Sequence, residues 1–68
     1  MISLLSLERV AKKTGIRRIS KEALEELREI ISEEGMRIAE KSVRLSTHAN
    51  RRTVMRDDIR LAAGKERE

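Results

Sequence analysis

The chain has 68 residues, of which 41% are charged and 38% hydrophobic, and it contains no aromatic residue, cysteine or proline. A chain of this length is expected to form one domain, here residues 1–68, and to hide only about 60% of the surface that its unfolded form exposes. Without cysteine it has no disulfide, thiolate metal site or thiol nucleophile, so self-association is the remaining way to stabilise it. No apolar run approaches the roughly 18 residues of a membrane span and the first five residues lack a signal peptide's basic segment, so we expect a soluble cytoplasmic protein.

Positive charge is concentrated in two separate parts of the sequence. Sixteen Lys or Arg against twelve Asp or Glu give a formal net charge of +4. Residues 1–21 carry six basic and one acidic side chain, residues 22–40 two basic and seven acidic, and residues 41–60 six basic and two acidic. The pattern favours a polyanionic partner that avoids the acidic middle, although a solvated basic face would have the same composition.

The first helix is predicted to end at Gly15, because apolar residues before it recur at helical spacing. An extended link is predicted at residues 15–19, where β-branched isoleucines alternate with arginines. Ser20 then supplies the N-cap hydroxyl of the next helix. The apolar residues predicted to share one face of the first helix are Leu4, Leu7, Val10 and Ala11.

The second helix is predicted from Lys21 to Asn50, over which apolar residues keep a helical period. At about 1.5 Å per residue it would be roughly 44 Å long, too long to be covered inside a monomer of this size. Gly35, near the midpoint, costs about 1 kcal/mol relative to alanine and indicates either a break or a close approach by another backbone. We favour a close approach, because the apolar period resumes in phase at Ile38. Asn50 can adopt the left-handed conformation that ends a helix.

A short third helix is predicted after an extended link at residues 51–54. Asp57 and Asp58 supply acidic charge to its first turn, and Gly64 ends it. The fold class is therefore all-α, with a short, a long and a short helix. Because the long helix leaves apolar surface on both halves, the simplest closed arrangement is a two-fold homodimer whose long helices cross antiparallel near Gly35.

The antiparallel crossing also brings the two basic links together. The first link of one subunit carries Arg17 and Arg18. It would lie beside the second link of the other subunit, which carries Arg51, Arg52 and Thr53. Basic links therefore join at each end of the dimer, away from the acidic middle.

Two stretches of the chain resemble the archaeal-type histones, which have the minimal histone fold without tails. The stretch HANRRTVMRDDI, residues 48–59, is similar to the family's run of His, Ala, Gly, Arg, Lys, Thr and Ile followed by a basic residue and Asp-Ile. The stretch GIRRIS, residues 15–20, is similar to the family's first loop, where an arginine precedes a β-branched residue and a capping serine. The resemblance extends over nearly the whole chain and implies a histone fold assembled as an intertwined antiparallel homodimer.

The resemblance implies a surface that binds double-stranded DNA. Arg18 is similar to the arginine that histones insert into the minor groove, and Thr53 to the threonine that meets it from the partner's second loop. Arg52 matches a lysine that contacts phosphate. The residues expected to bind DNA are Arg9, Lys12, Lys13, Arg17, Arg18, Arg51, Arg52, Thr53 and Arg56.

The resemblance also implies contacts within and between dimers. Arg51 is similar to an arginine that forms a structural ion pair with an aspartate, here Asp58. Two departures concern the second link: Asn50 replaces the usual glycine, and Met55 stands where a basic residue often follows. Dimers of the family stack into tetramers through positions occupied here by Leu45, His48, Asp58 and Leu61.

No pattern of residues predicts catalysis, a cofactor or a metal site. His48 is the only histidine, with no Cys and no Glu-x-x-His arrangement nearby. Asp57 and Asp58 are ordinary acids of a first helical turn, and Ser20 has no candidate base. We therefore predict a non-enzymatic protein without cofactor, small-molecule substrate or membrane partner.

Two other functions remain as alternatives to a DNA-bending protein of the chromosome or nucleoid. A helix-turn-helix regulator is suggested by residues 10–16, but Lys21 stands where its recognition helix needs an apolar residue, and the loop at residues 16–20 is too long. A histone-fold interaction subunit that does not bind DNA should have neutral or acidic loops, and both loops here are basic. We predict a homodimer, able to assemble into tetramers or larger forms on DNA, that binds largely without sequence preference.

Overall fold

The computed structural model describes residues 2–65, and this part of the chain contains three α-helices. They are α1 (Leu4–Lys13), α2 (Lys21–His48) and α3 (Arg56–Ala62). The predicted all-α class and the order of short, long and short helices are therefore confirmed. None of the helices in the described part is long and apolar enough to cross a membrane. Met1 and the last three residues, 66–68, lie outside the described residues.

The chain divides into two compact units, one ending at Glu33 and the other beginning at Glu34. The first unit contains α1 and the first half of α2, and the second contains the remainder of α2 and α3. Helix α2 continues through Gly35, so the alternative of a break there is wrong. A Cβ atom added to Gly35 would meet no atom of the chain within 4 Å, and the predicted approach by another backbone therefore concerns a second copy.

The first unit buries three apolar side chains. Leu7 and Ala11 lie one turn apart on α1, and Leu24 lies near the start of α2. Burial of Leu7 alone contributes about 2 kcal/mol. Val10, predicted on the same face, is instead 51% exposed. It lies about 100° around the helix from Ala11, on a flank that nothing in the unit covers.

The second unit is packed around small and polar side chains. Ser42 and Ser46 are buried one turn apart on α2, and Ala62 is buried on α3. The Ser42 hydroxyl donates to the Ile38 carbonyl at 2.7 Å, and the Ser46 hydroxyl donates to the Val43 carbonyl at 3.0 Å. Both buried hydroxyls are thereby satisfied, so that small residues fill this interior without an unpaired polar group.

All three helices end in the same hydrogen-bonded turn. A residue with positive φ donates its N–H to the carbonyl three residues earlier, and the next residue donates to the carbonyl five residues earlier, which is the Schellman motif. Gly15 (φ 100°), Asn50 (φ 59°) and Gly64 (φ 79°) occupy the left-handed position, as predicted. The N–H of Asn50 lies 2.9 Å from the Thr47 carbonyl oxygen. Because residues 49 and 50 form this turn, α2 ends at His48 rather than at Asn50.

Substitution of Asn50 tests the left-handed requirement. Asn50→Ala should lower the free energy of unfolding by about 1 kcal/mol, because a left-handed conformation strains a residue with a Cβ and no local hydrogen-bonding group. Asn50→Gly should leave that free energy unchanged or raise it by up to about 1 kcal/mol. Chemical denaturation of both variants at one protein concentration measures the difference, and an alanine variant as stable as the parent would contradict the account.

Candidate nucleic-acid interface

Helix α1 carries the first predicted phosphate contacts on its exposed surface. Arg9, Lys12 and Lys13 are all exposed. The Lys12 ammonium lies 4.0 Å from a carboxylate oxygen of Glu8, one turn earlier. An exposed pair of this length contributes little to stability, so it does not prevent Lys12 from contacting another anion.

The link between α1 and α2 presents two exposed arginines between two helix caps. Gly15 closes the end of α1, and the Ser20 hydroxyl accepts the N–H of Ala23 at 3.0 Å, which confirms Ser20 as the predicted N-cap. Arg17 and Arg18 stand between these caps on extended backbone. Within residues 2–65 neither has a carboxylate at ion-pair distance. The main chain is thus fixed at both ends while the two cations face solvent.

The link between α2 and α3 contains a bonded cluster centred on Arg51. Its guanidinium donates two hydrogen bonds to the Asp58 carboxylate, each 2.8 Å long, from Nη1 and Nη2. Nη1 also donates to the Thr53 carbonyl at 3.0 Å. Asp58 Oδ2 further accepts the backbone N–H of Met55 at 2.8 Å. Arg51 therefore ties the beginning of the link, its middle and the first turn of α3 together.

Asp58 stays ionised although it is buried. Its side chain is 8% exposed, whereas that of Arg51 is 38% exposed. The hydrogen bonds from Arg51, followed by the one from the Met55 N–H, lower the pKa of Asp58 from 3.8 to about 2, against the opposing effect of burial. The same carboxylate raises the pKa of Arg51 above its usual value. Charge-assisted bonds of this kind compensate the desolvation of the carboxylate.

Two contacts of this cluster were absent from the sequence analysis. The Met55 N–H contact follows from a spacing of three between a helix N-cap and its N3 residue, whose carboxylate reaches back to the cap. Methionine lacks the hydroxyl that usually marks this motif, so the pattern was not recognised. The Thr53 carbonyl contact involves only main chain on one side, and no side-chain pattern signals it. Because Nη1 and Nη2 of Arg51 are engaged, its first role is to position the link, and a DNA contact by Arg51 stays a prediction.

Three further predicted residues lie exposed beside this cluster. Arg52 and Thr53 are exposed on the link, and Arg56 is exposed as the first residue of α3. In the described part of the chain, neither arginine has a carboxylate within ion-pair distance. The second link thus combines a fixed backbone with two unpaired cations, as the first link does.

The four residues predicted between dimers all belong to the second unit. Leu45 is half-buried, His48 is the exposed last residue of α2, and Leu61 is 50% exposed on α3. Asp58 is buried, and both of its oxygens already accept bonds from its own chain. Leu61 and His48 are therefore the members most open to a neighbour, and the contact between dimers stays a prediction.

The described residues contain no candidate metal centre. No group of three His, Cys, Asp or Glu side chains in residues 2–65 is arranged to hold a metal ion. A shallow groove runs along the last turns of α2, lined by Val43, Arg44, Thr47 and His48. All four come from one helix, and the groove includes no carboxylate that could act with His48.

The pH dependence of stability tests the buried carboxylate. Because the pKa of Asp58 is lower in the folded chain than the value of about 3.9 expected in the unfolded chain, its stabilisation is complete above that value. It should be lost as the pH falls from about 4 through the folded pKa of about 2. Asp58→Asn should therefore be less stable than the parent at pH 7 and lose less stability on acidification. The matched control is Asp57→Asn, at the exposed neighbouring acid, which should keep the parent's pH dependence; equal slopes for parent and Asp58→Asn would refute this assignment.

The chain matches one protein family over most of its length. The family described as histone-like transcription factor (CBF/NF-Y) and archaeal histone matches residues 6–63. The archaeal histone HAN1 of Thermococcus zilligii is 34% identical to the chain over 56 residues, which are 82% of this chain and 84% of that protein. Probable archaeal histone 3 of Methanocaldococcus jannaschii is 41% identical over 54 residues, 79% of this chain and 81% of that protein.

The matched region runs from within α1 to just beyond α3 and includes both basic links. The resemblance to archaeal-type histones predicted from two loop motifs is thereby confirmed, together with the histone-fold class and the non-enzymatic character. The chain belongs to the family of histone-like transcription factors and archaeal histones.

Proposed function

We propose that two copies of the chain form an antiparallel homodimer that binds and bends double-stranded DNA, largely independently of sequence, and so compacts the chromosome. The observation that carries this proposal is the separation of charge. Exposed arginines without an ion-pair partner in the described residues occupy both links, while glutamates are concentrated in α2. Phosphate binding through such cations is insensitive to base sequence.

The amount of exposed apolar surface supports the dimer. Within residues 2–65, four apolar side chains are buried, whereas twelve large apolar side chains are at least 38% exposed. Each large apolar side chain gains about 1.5–3 kcal/mol when it is fully buried, so a second copy would recover stability that one chain lacks. In such a dimer the two units would act as the single predicted domain of residues 1–68. The exposed apolar residues are Ile2, Leu5, Val10, Ile16, Ile30, Ile31, Met36, Val43, Val54, Met55, Ile59 and Leu61.

The bonded cluster on the second link supports a preformed DNA surface. Arg51 holds the Thr53 carbonyl at 3.0 Å and Asp58 at 2.8 Å, which fixes the link before any ligand arrives. Less ordering is then required on binding. In the dimer, Arg18 of one subunit would enter the minor groove beside Thr53 of the partner subunit. Phosphates would be contacted mainly by Arg9, Lys12, Lys13, Arg17, Arg52 and Arg56.

Two coarser features of the protein follow from this function. DNA binding would hold the protein on the chromosome or nucleoid in the cytoplasm. Dimers could stack through Leu45, His48 and Leu61, of which His48 and Leu61 are exposed. Asp58 would take part only through the small part of its side chain that Arg51 leaves exposed.

The alternatives differ in what they require of the links. A helix-turn-helix regulator needs a tight turn, whereas residues 16–20 form an extended link between α1 and α2. An interaction subunit of a transcription factor fits the family description but needs no unpaired arginines on the links. DNA titration therefore separates these functions: sequence-specific binding at high salt would favour the first alternative, and no binding the second.

The dimer predicts a stability that depends on protein concentration. A tenfold rise in concentration should add about 1.4 kcal/mol to the apparent free energy of unfolding, because unfolding releases two chains from one dimer. The melting temperature should rise accordingly, and sedimentation should show a species of twice the chain mass. A folded monomer at micromolar concentration would contradict the dimer.

Replacement of Arg18 tests its role on the first link. Arg18→Ala should weaken DNA binding by about tenfold at moderate salt and lower the slope of log K against log salt by about two, since a dimer loses two cations. Bending should fall, and the dimer should persist because no apolar side chain is removed. The measurements are a salt-controlled titration and a bending assay on the same duplex.

The matched control is Arg60→Ala, which removes an exposed arginine of α3 outside both links. It should retain the parent's bend angle and lose less affinity than Arg18→Ala. If the two variants lose affinity and bending equally, the surface is a generic basic face and the assignment of Arg18 to a groove is wrong.

A further inference from the structure

We infer that the charges along α2 select its partner: a second copy in antiparallel orientation, because only that orientation places opposite charges opposite each other about Gly35. The inference rests on the proposed dimer and adds to it a reason for one orientation and for self-recognition. The recognising surface is a row of exposed charges beside the apolar contact, not the basic links.

Helix α2 is acidic before Gly35 and basic after it. Residues 22–34 contain six glutamates and one arginine, whereas residues 36–48 contain two arginines, one lysine and one glutamate. The ion pair described within α2 joins Glu34 and Arg37, whose carboxylate and guanidinium approach to 2.6 Å. The remaining charges of α2 have no partner at ion-pair distance among residues 2–65.

An antiparallel crossing at Gly35 brings together residues at equal distances before and after that glycine. Glu33 then faces Arg37 of the partner subunit, two residues from the crossing on each helix. Seven residues farther out in each half, on nearly the same side of the helix, Glu26 faces Arg44 of the partner subunit. Each couple occurs twice in a two-fold dimer.

A third couple lies between these two. Glu29 would face Lys41 of the partner subunit, six residues from Gly35 on each helix. In a parallel pairing every residue would instead face its own copy, so that all of these couples would change from attraction to repulsion. The pattern therefore disfavours the wrong orientation as well as favouring the right one.

The exposure of these side chains sets the expected strength. Glu26, Glu29, Glu33, Lys41 and Arg44 are exposed, so each couple is weak and sensitive to salt. Crossing helices diverge from their contact point, and the couple nearest Gly35 should be the strongest.

Arg37 can contribute to the nearest couple without losing its own pair. Its Nε and Nη2 donate to Glu34 at 3.2 and 2.6 Å, which leaves Nη1 outside that pair. The intrachain contact holds the guanidinium in place, so less side-chain freedom would be lost on contact with Glu33 of the partner subunit.

Reciprocal charge reversal tests the inference on the full chain. One variant, Glu26→Lys with Glu33→Lys, makes the first half of α2 more basic; the other, Arg37→Glu with Arg44→Glu, makes the second half acidic. Alone, each should dimerise at least about tenfold more weakly than the parent at about 0.05 M salt, because its facing couples repel. An equimolar mixture should recover the parent's dimer affinity to within about threefold, because opposite charges face each other again between unlike chains.

A control variant changes the same charges without reversing a couple. Glu25→Lys with Glu40→Lys alters two exposed glutamates of α2 whose facing positions hold Leu45 and Ile30. It should dimerise like the parent to within about threefold at the same salt. Dimer dissociation would be measured by sedimentation and by concentration-dependent thermal unfolding, so that a variant folded only in the mixture still reports the expected result.

Two results would overturn the inference while leaving the proposed dimer intact. One is that both reversed variants dimerise as tightly as the parent. The other is that the equimolar mixture is no tighter than its components. A parent chain that is itself monomeric would instead overturn the proposed dimer, which identifies the failing step.

Discussion

The constraint on which this molecule depends is that its longest helix exposes more apolar surface than its own chain can cover. Helix α2 has 28 residues, in a chain without aromatic side chains or cysteine. Four buried apolar residues are a small core, and twelve large apolar side chains remain exposed in the described part. Assembly is therefore the source of stability, and the positions of the basic links follow from how two copies must meet. In this account DNA binding is a consequence of dimer geometry more than of any single pocket.

Charge is organised around the same geometry. The two basic links would meet only between subunits, while the acidic half of α2 would meet the basic half of its partner. The links are stiffened locally: Ser20 caps α2, and Arg51 binds both Asp58 and the Thr53 carbonyl. Cations displayed on fixed backbone suit a surface that reads the shape and charge of DNA without base recognition.

Features set by neighbouring residues were predictable from the sequence, and features set by packing were not. Helix order, the Ser20 cap and the left-handed Asn50 depend on spacings of a few residues and were predicted. Val10 was misplaced, because the periodicity of a short helix does not show how wide a face its unit covers. The Met55 contact with Asp58 was missed because its cap residue has no hydroxyl. The family followed from two loop motifs, whereas the roles of individual arginines toward DNA stay predictions, since they concern a surface shared by two chains.

The most direct measurement of the central claim is chemical cross-linking between the two links of different chains. Because the chain has no cysteine, Arg17→Cys and Arg52→Cys can be made separately, mixed after unfolding and refolding, and treated with a short thiol cross-linker. The account predicts a covalent dimer in high yield from the mixture, joining the first link of one chain to the second link of the other. Each variant treated alone should give little of it. A mixture that yields no more covalent dimer than its separate components would contradict the paired links and the DNA surface built from them.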